Sequence, residues 1–402
     1  MTQEVFFFST NHPCPENAMN LNMLKRWYRG NDWKVTSDPK RADYIVMATC
    51  GFSKSEEDIE IAAIENLLRD KKKDCELIVT GCLPQINKER VREVFDGKCV
   101  KIVDMQTFNS IMDFDNKIEA FENHFVSEDE YDSDPEIHRY FKTRKRFEQL
   151  SFLPFVKVPR ILYTVPSEKW FLIRCAMGCT GNCTYCGIRH ALGKIKSVPI
   201  EDILLQAEKA IAGGYEEISL TGEDQGGYGV DLKTDLSVLL TELINLPGKF
   251  RINLRYIDPF WLIRLQDKLL PIFQTGRITA FCSPAQSGSD RILKAMNRRY
   301  SFEDLKSTVN NVANNSGVGL ISTNIIVGFP GETEDDFKES LRLVKEVDFG
   351  VYLAFRYEDR PGTAASMLAD KVPEKVIQRR YDEMRSAINR KHFRFALKTF
   401  MR

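Results

Sequence analysis

Four of the ten cysteines in this 402-residue chain fall within twelve positions, in the stretch "RCAMGCTGNCTYCGIRHALG" that runs from 174 to 193. Thiolates at Cys175, Cys179, Cys183 and Cys186 could bind metal, and a structural zinc site with four thiolate ligands is one reading. Structural zinc, however, normally draws on two ligand pairs separated by a loop. Here Cys179, Cys183 and Cys186 form a tight Cx3Cx2C run with an aromatic, Tyr185, before the last thiol. An iron–sulfur cube suits that run better, because thiolates are its usual ligands and three of them leave one iron of a four-iron cube open to chemistry. Cys175 stands outside the run and is expected to pack as a small apolar residue at a strand end.

Three more cysteines occupy comparable places. Cys14 in "STNHPCPEN", Cys50 in "MATCGF" and Cys82 in "VTGCLPQ" each follow a short apolar segment, at separations of 36 and 32 residues. Loops that follow parallel strands converge on one edge of a sheet, so these thiols can meet despite their distance in the chain. The alternative for each is a buried free cysteine, which is the reading for Cys75 and Cys99.

The elements that must position these thiols show in the hydrophobic pattern. Residues 5–10, 43–49 and 77–80 read as apolar strands, and "NLNMLKRWYRG" and "SEEDIEIAAIENLLRDKK" read as amphipathic helices between them. That alternation predicts a parallel-sheet α/β domain over residues 1–112. Residues 126–136 carry six acidic groups and no basic one, and 139–146 carry five basic groups and no acidic one. Such blocks mark a solvated connection, so 113–168 is expected to be a charged linker. From 169 to 402 the alternation resumes through "KWFLIRC", "EEISLTGED", "FRINLRY", "RITAFCS", "GLISTNIIVGFPG" and "VYLAFRYEDRPG". Six strands with room for a helix between each pair predict a partial (β/α)6 TIM-like barrel, with function at the strand carboxyl ends.

Composition narrows the class. Ten cysteines in a chain this long are too dilute for a disulfide scaffold, and the length is ample for a full hydrophobic core. The amino end lacks a leader pattern, and no run of eighteen apolar residues occurs, so a cytoplasmic protein without a membrane partner is expected. The 57 basic and 57 acidic residues cancel, which gives no support for a general nucleic-acid binder.

The Cx3CxφC run at the start of a partial barrel resembles the signature of the radical S-adenosylmethionine (SAM) enzymes. The segments "GGYEEISLTGEDQGGYGVD", "SPAQSGSDRILKAMNRRYSFEDL", "TNIIVGFPGETEDDF" and "FRYEDRPGTAASML" look like successive blocks of one branch, the methylthiotransferases, which insert sulfur into tRNA bases or a ribosomal protein and methylate it. The resemblance implies two [4Fe–4S] clusters. Cys179, Cys183 and Cys186 would hold the first, whose open iron is chelated by SAM; reductive cleavage of SAM then gives a 5′-deoxyadenosyl radical. Cys14, Cys50 and Cys82 would hold the auxiliary cluster that presents sulfur. The resemblance also assigns SAM contacts to Tyr185, to Thr221, Gly222 and Glu223, to Gln286, Ser287, Gly288 and Ser289, and to Gly328.

The resemblance further implies a reductant such as flavodoxin or ferredoxin and a sulfur donor. Three positions depart from the family pattern: Cys282 stands where His is usual, Asn324 where Asp is usual and Glu358 where Ser is usual, which points to a changed substrate pocket. The chain stops at "FALKTFMR", about where the family's small TRAM β-barrel would begin, although residues 371–402 carry ten basic and three acidic side chains. These features favour a protein, peptide or small-molecule substrate over tRNA. A tRNA methylthiotransferase and sulfur insertion without methylation are the alternatives.

Overall fold

The computed structural model describes residues 3–10, 15–94, 100–102, 143, 146 and 170–400. The expected linker at 113–168 lies, but for Thr143 and Arg146, outside the described residues, as do Cys14 and Cys99. The chain divides into two compact units. One comprises Met1–His138, Cys186–Lys194 and Arg360–Gly362; the other comprises Arg139–Tyr185, Ile195–Asp359 and Thr363–Arg402.

In the first unit, strands β1 (Glu4–Ser9), β2 (Lys34–Val35), β3 (Tyr44–Thr49), β4 (Glu76–Gly81) and β5 (Val100–Ile102) form a sheet in the order β2-β1-β3-β4-β5. Every pairing is parallel. β1, β3 and β4 are the three apolar runs legible in the sequence, whereas β2 and β5 are too short to show a period. Successive side chains of β3 go to opposite faces. Val46 and Ala48 pack with Leu21 and Leu24 of the helix Pro15–Gly30, while Ile45 and Met47 pack with Ile64 and Leu67 of the helix Lys54–Asp70. With both faces covered, the strands need continuous rather than alternating apolar residues. The strand order is the flavodoxin-like doubly wound one, whose ligand site lies outside the strand carboxyl ends beside β1 and β3.

In the second unit, β6 (Trp170–Arg174), β9 (Glu217–Thr221), β10 (Arg251–Tyr256), β11 (Ile278–Cys282), β12 (Leu320–Val327) and β13 (Val351–Arg356) form one sheet in the order β13-β12-β11-β10-β9-β6. All five pairings are parallel. β6 and β13 are the two edges, so the (β/α)6 barrel is partial, as the sequence pattern predicts. A short antiparallel ribbon of β7 (Ala176–Met177) and β8 (Lys196–Ser197) follows β6 and braces the cysteine loop.

Ile218, Leu220, Ile252, Leu254, Ile321 and Ile325 face outward into one core shared with the helices Ile200–Ala212, Leu236–Asn245, Phe302–Asn315 and Glu334–Glu346. The alternate positions Ser219, Thr221, Asn253, Ser322 and Asn324 therefore line the inner face. Ala280, Leu320 and Val351 pack as a small apolar plug, and polar positions follow it toward the strand carboxyl ends. Among the described residues no helix is long and apolar enough to cross a membrane.

Candidate functional site

The ends of β3 and β4 place two cysteines on adjoining strand ends. Cys50 follows Thr49 at the end of β3, Cys82 follows Gly81 at the end of β4, and the Cys82 N–H donates to the Thr49 carbonyl at 3.0 Å. This closeness depends on Gly81, which has φ +97° and where a Cβ would stand 2.2 Å from the Thr49 oxygen. The Thr49 hydroxyl bonds the Thr80 carbonyl at 2.6 Å, and Asn17 Nδ2 reaches the Thr49 carbonyl at 3.2 Å. Asn17 belongs to the "CPEN" segment, so the helix that begins just after Cys14 is tied to the same strand end.

A buried carboxylate completes the arrangement. Glu60 Oε1 accepts the Cys50 N–H at 2.8 Å and the Thr10 hydroxyl at 2.8 Å, and so joins the segments that follow β1 and β3. Burial pushes its carboxyl up to about 7 and the Cys50 thiol up to about 11. A bare thiol at Cys50 would thus stay protonated at neutral pH, and a positively charged metal group would supply the compensation a thiolate needs. Ile86, on the short helix after Cys82, lies against Gly51 and Gly187, where added Cβ atoms would come within 3.0 Å and 3.1 Å of it. The residues next to Cys50 and Cys186 therefore share one packing partner in this unit.

The loop after β6 carries the other thiols. Cys175 is fully buried and its thiol donates to the Thr221 carbonyl at 3.2 Å, with burial pushing it up to about 12. Cys179, Cys183 and Cys186 are instead half-buried. The Gly181 N–H donates to Cys179 Sγ at 3.2 Å, and a Cβ at Gly181 would lie 3.3 Å from Cys179 Sγ and 3.7 Å from Cys183 Sγ. Both sulfurs thus flank the space beside Gly181, which a side chain there would narrow. Arg298 Nη1 donates to Cys183 Sγ at 3.3 Å. Among the described residues no group of three or more His, Cys, Asp or Glu lies together in the manner of a single-ion site. A four-iron cube spreads its ligands over separate corners, and N–H donors aimed at ligand sulfurs are the environment it uses.

The loop is anchored from several strands. Glu223 Oε2 accepts the Gly178 N–H at 2.9 Å, and Gly222 lets β9 approach so closely that a Cβ there would stand 2.8 Å from the Ala176 oxygen. Asp224 accepts from the Thr180 N–H at 3.2 Å, from the Thr180 hydroxyl and from the Cys179 thiol at 3.7 Å. Burial, then Asp258 nearby, raise the Asp224 carboxyl. Tyr185 packs with Ile292, Met296, Phe329 and Tyr357, which brings the aromatic of the cysteine run onto the residue after Gly328.

The remaining predicted residues divide between two kinds of surroundings. Thr221 Oγ1, Gln286 Oε1, Ser219 Oγ and Ser283 Oγ are buried and find no hydrogen-bond partner among the described residues. Gln286 also holds φ +64°, a left-handed conformation that a side chain adopts at some cost. Orphaned polar atoms of this kind fit a polar ligand such as SAM. Ser287, Gly288 and Ser289 instead face the helix Glu334–Glu346: Ser287 Oγ lies 3.2 Å from Ser340 Oγ, the Gly288 N–H donates to Ser340 Oγ at 3.0 Å, and Ser289 Oγ donates to Asp336 at 2.6 Å. Gly328 donates to Glu332 at 2.8 Å and packs against Ile377. Cys282 and Asn324, two of the departures, are neighbours, with Sγ 3.9 Å from Oδ1.

Sequence reasoning missed Glu60, Asp224 and Arg298. Glu60 had a signal, since it falls on the apolar stripe with Ile64 and Leu67; Arg298 had none, being 115 residues from Cys183.

A partial barrel whose first strand is followed by a Cx3Cx2C loop is the arrangement of a radical SAM enzyme. The comparisons agree. Residues 173–344 match the family described as "Radical SAM superfamily", and residues 7–102 match "Uncharacterized protein family UPF0004". The ribosomal protein uS12 methylthiotransferase RimO of Thermotoga sp. (strain RQ2) is 31% identical over 376 residues, covering 92% of this chain and 80% of that protein. The probable threonylcarbamoyladenosine tRNA methylthiotransferase of Pyrococcus abyssi is 30% identical over 363 residues, covering 90% of this chain and 79% of that protein. In fold, the radical SAM methyltransferase TsrM of Kitasatospora setae superposes with a TM-score of 0.60 at 14% identity, covering 91% of this chain and 77% of that one.

The chain belongs to the radical SAM methylthiotransferase family. Enzymes of this family use a [4Fe–4S] cluster with SAM and carry a second cluster. The expectation that ranked tRNA below a polypeptide does not stand, because relatives named for each substrate match at nearly equal identity.

Proposed function

We propose that this enzyme forms a C–S bond by placing sulfur, as a methylthio group, on an unactivated C–H of a ribosomal protein or a tRNA. The observation that carries the reading is the Cys82 N–H bonded to the Thr49 carbonyl, which sets Cys50 and Cys82 on adjoining strand ends and so favours a second cluster. Cys179, Cys183 and Cys186 would hold the radical cluster, and Cys14, Cys50 and Cys82 the auxiliary one. The bound groups supply reductive SAM cleavage, hydrogen abstraction and sulfur delivery.

The chain's own part is to bind and orient. Glu223, fixed by Gly178, is the natural partner for the SAM ammonium, and Thr221 and Gln286 offer polar atoms to the rest of the ligand. Glu60 holds the Cys50 backbone in place. Asp224 and Arg298 hold the loop around Cys179 and Cys183. Electrons would come from a flavodoxin- or ferredoxin-class reductant in the cytoplasm, and sulfur from a separate donor.

Anaerobic reconstitution followed by iron and sulfide analysis tests the assignment. Two four-iron clusters predict about eight irons per chain, falling to about four in Cys50→Ala/Cys82→Ala and to about four in Cys179→Ala/Cys183→Ala. Incubation with SAM bearing a labelled methyl, reductant and separate ribosomal-protein and tRNA pools then identifies the substrate by mass spectrometry. A wild-type chain that binds zinc in place of iron would overturn the reading, and a product gaining sulfur without methyl would replace methylthiolation by plain sulfur insertion.

A further inference from the structure

Arg298 occupies an unusual position for a charged side chain. It is 5% exposed; its Nη1 donates to Cys183 Sγ at 3.3 Å and forms an ion pair with Asp258 Oδ2 at 2.7 Å. Nη2 donates to the Pro284 carbonyl at 3.0 Å, Nε donates to the Tyr300 hydroxyl at 3.3 Å, and the guanidinium lies 5.2 Å from the centre of the Tyr300 ring. The fork geometry and permanent charge of arginine suit it to hold a sulfur, a carboxylate and a carbonyl at once. Asp258 is itself only 21% exposed and caps the helix Pro259–Arg264 by accepting the Phe260 N–H at 2.9 Å. Water therefore screens neither charge well.

We propose that Arg298 and Asp258 act as an opposed pair of positioning residues that set the reduction potential of the radical cluster from outside its ligands. The inference rests on the reading that Cys183 is a ligand. In the step concerned, one electron passes from a low-potential donor of the flavodoxin or ferredoxin class to the cluster; the donor is oxidised and the cluster gains one negative charge. Hydrogen bonds to ligand sulfurs and nearby net charge both set such potentials. An N–H donor and a positive charge at Cys183 Sγ favour the reduced state and raise the potential, while the Asp258 carboxylate behind them opposes this.

The test uses the full chain reconstituted with iron and sulfide, titrated anaerobically with dithionite and read by electron paramagnetic resonance. The radical cluster's signal is the one that changes when SAM is added. Arg298→Met is expected to shift the midpoint to more negative potential, Arg298→Lys to shift it less, and Asp258→Asn, which keeps a cap for Phe260, to shift it the opposite way. Opposite signs are what a merely structural pin would not produce. Unchanged midpoints, shifts of one sign in Arg298→Met and Asp258→Asn, or loss of the cluster's iron from both Arg298 variants would overturn the proposal. Cys183→Ala separates the two levels: retention of the SAM-responsive signal there overturns the ligand assignment and the tuning role together. Loss of the signal beside unchanged midpoints elsewhere overturns the tuning role alone.

Discussion

Glu60 Oε1 accepts the backbone N–H of Cys50 at 2.8 Å while it also takes the hydroxyl of Thr10. Glu60→Ala leaves a buried donor without its partner, at a cost of about 1–3 kcal/mol. Glu60→Gln keeps an acceptor of the same shape. Chemical denaturation should therefore show a lower midpoint for the alanine variant than for the glutamine one, and iron analysis should show the alanine variant losing auxiliary-cluster iron first.

Gly81 ends β4 just before Cys82 at φ +97°, with the Thr49 oxygen close to where a Cβ would go. Gly81→Ala combines left-handed strain with a backbone clash, so a loss of about 3 kcal/mol or more is expected. Thermal unfolding measures that loss. Iron content should fall toward half in the fraction that folds.

Gly181 makes a different prediction. Its added Cβ meets only the sulfurs of Cys179 and Cys183, and its backbone is not left-handed. Gly181→Ala should leave unfolding within about 0.5 kcal/mol of wild type in the metal-free chain, as for most changes away from packed features. Reconstitution of the SAM-responsive cluster should nevertheless be impaired. Normal loading of that cluster in the variant would show that the space between the two sulfurs is not used.

Glu57 and Arg360 form a buried ion pair at 2.7 Å, with Arg90 at 3.1 Å on the other carboxylate oxygen. Arg360→Leu leaves the buried Glu57 carboxylate with only the partly exposed Arg90 to compensate it, so a loss of up to about 3 kcal/mol is expected. Glu57→Gln in the same chain should recover part of that loss. A double-mutant cycle by urea unfolding gives the coupling directly.

Acid sensitivity should centre on Asp336. Burial alone would raise its carboxyl, but hydrogen bonds from Arg291, Ser289 and Thr333 hold it well below the usual carboxylate range. A carboxylate lowered in the folded state contributes stability that is full above the unfolded value and is lost as pH falls toward the folded one. Asp336→Asn should therefore be less stable than wild type by about 2 kcal/mol at neutral pH. The difference should shrink below about pH 4, where the unfolded carboxyl takes up its proton. Unfolding curves at several pH values check both statements.

Some of this was written locally and some was not. The Cx3Cx2C run brings its thiols together by chain proximity alone, so Cys179, Cys183 and Cys186 are legible without a fold. The apolar runs of β1, β3 and β4 are legible because strands covered on both faces must be apolar on both, and the six barrel strands are legible from their outward apolar positions and the helix-length spacing between them. Strand ends then fix where Cys50 and Cys82 lie. β2 and β5 escaped, because two or three residues carry no period.

The partners of those thiols depended on the tertiary structure. Glu60 reaches Cys50 across a helical turn and a loop, and Arg298 reaches Cys183 from 115 residues away. The same is true of Ser287 and Ser289, whose hydroxyls go to a helix some 50 residues on. Covalent spacing determines which groups can be near each other within a loop. Which buried donor, acceptor or charge ends up against a given sulfur is decided only when distant strands and helices pack, since each polar group then has to find a partner away from water.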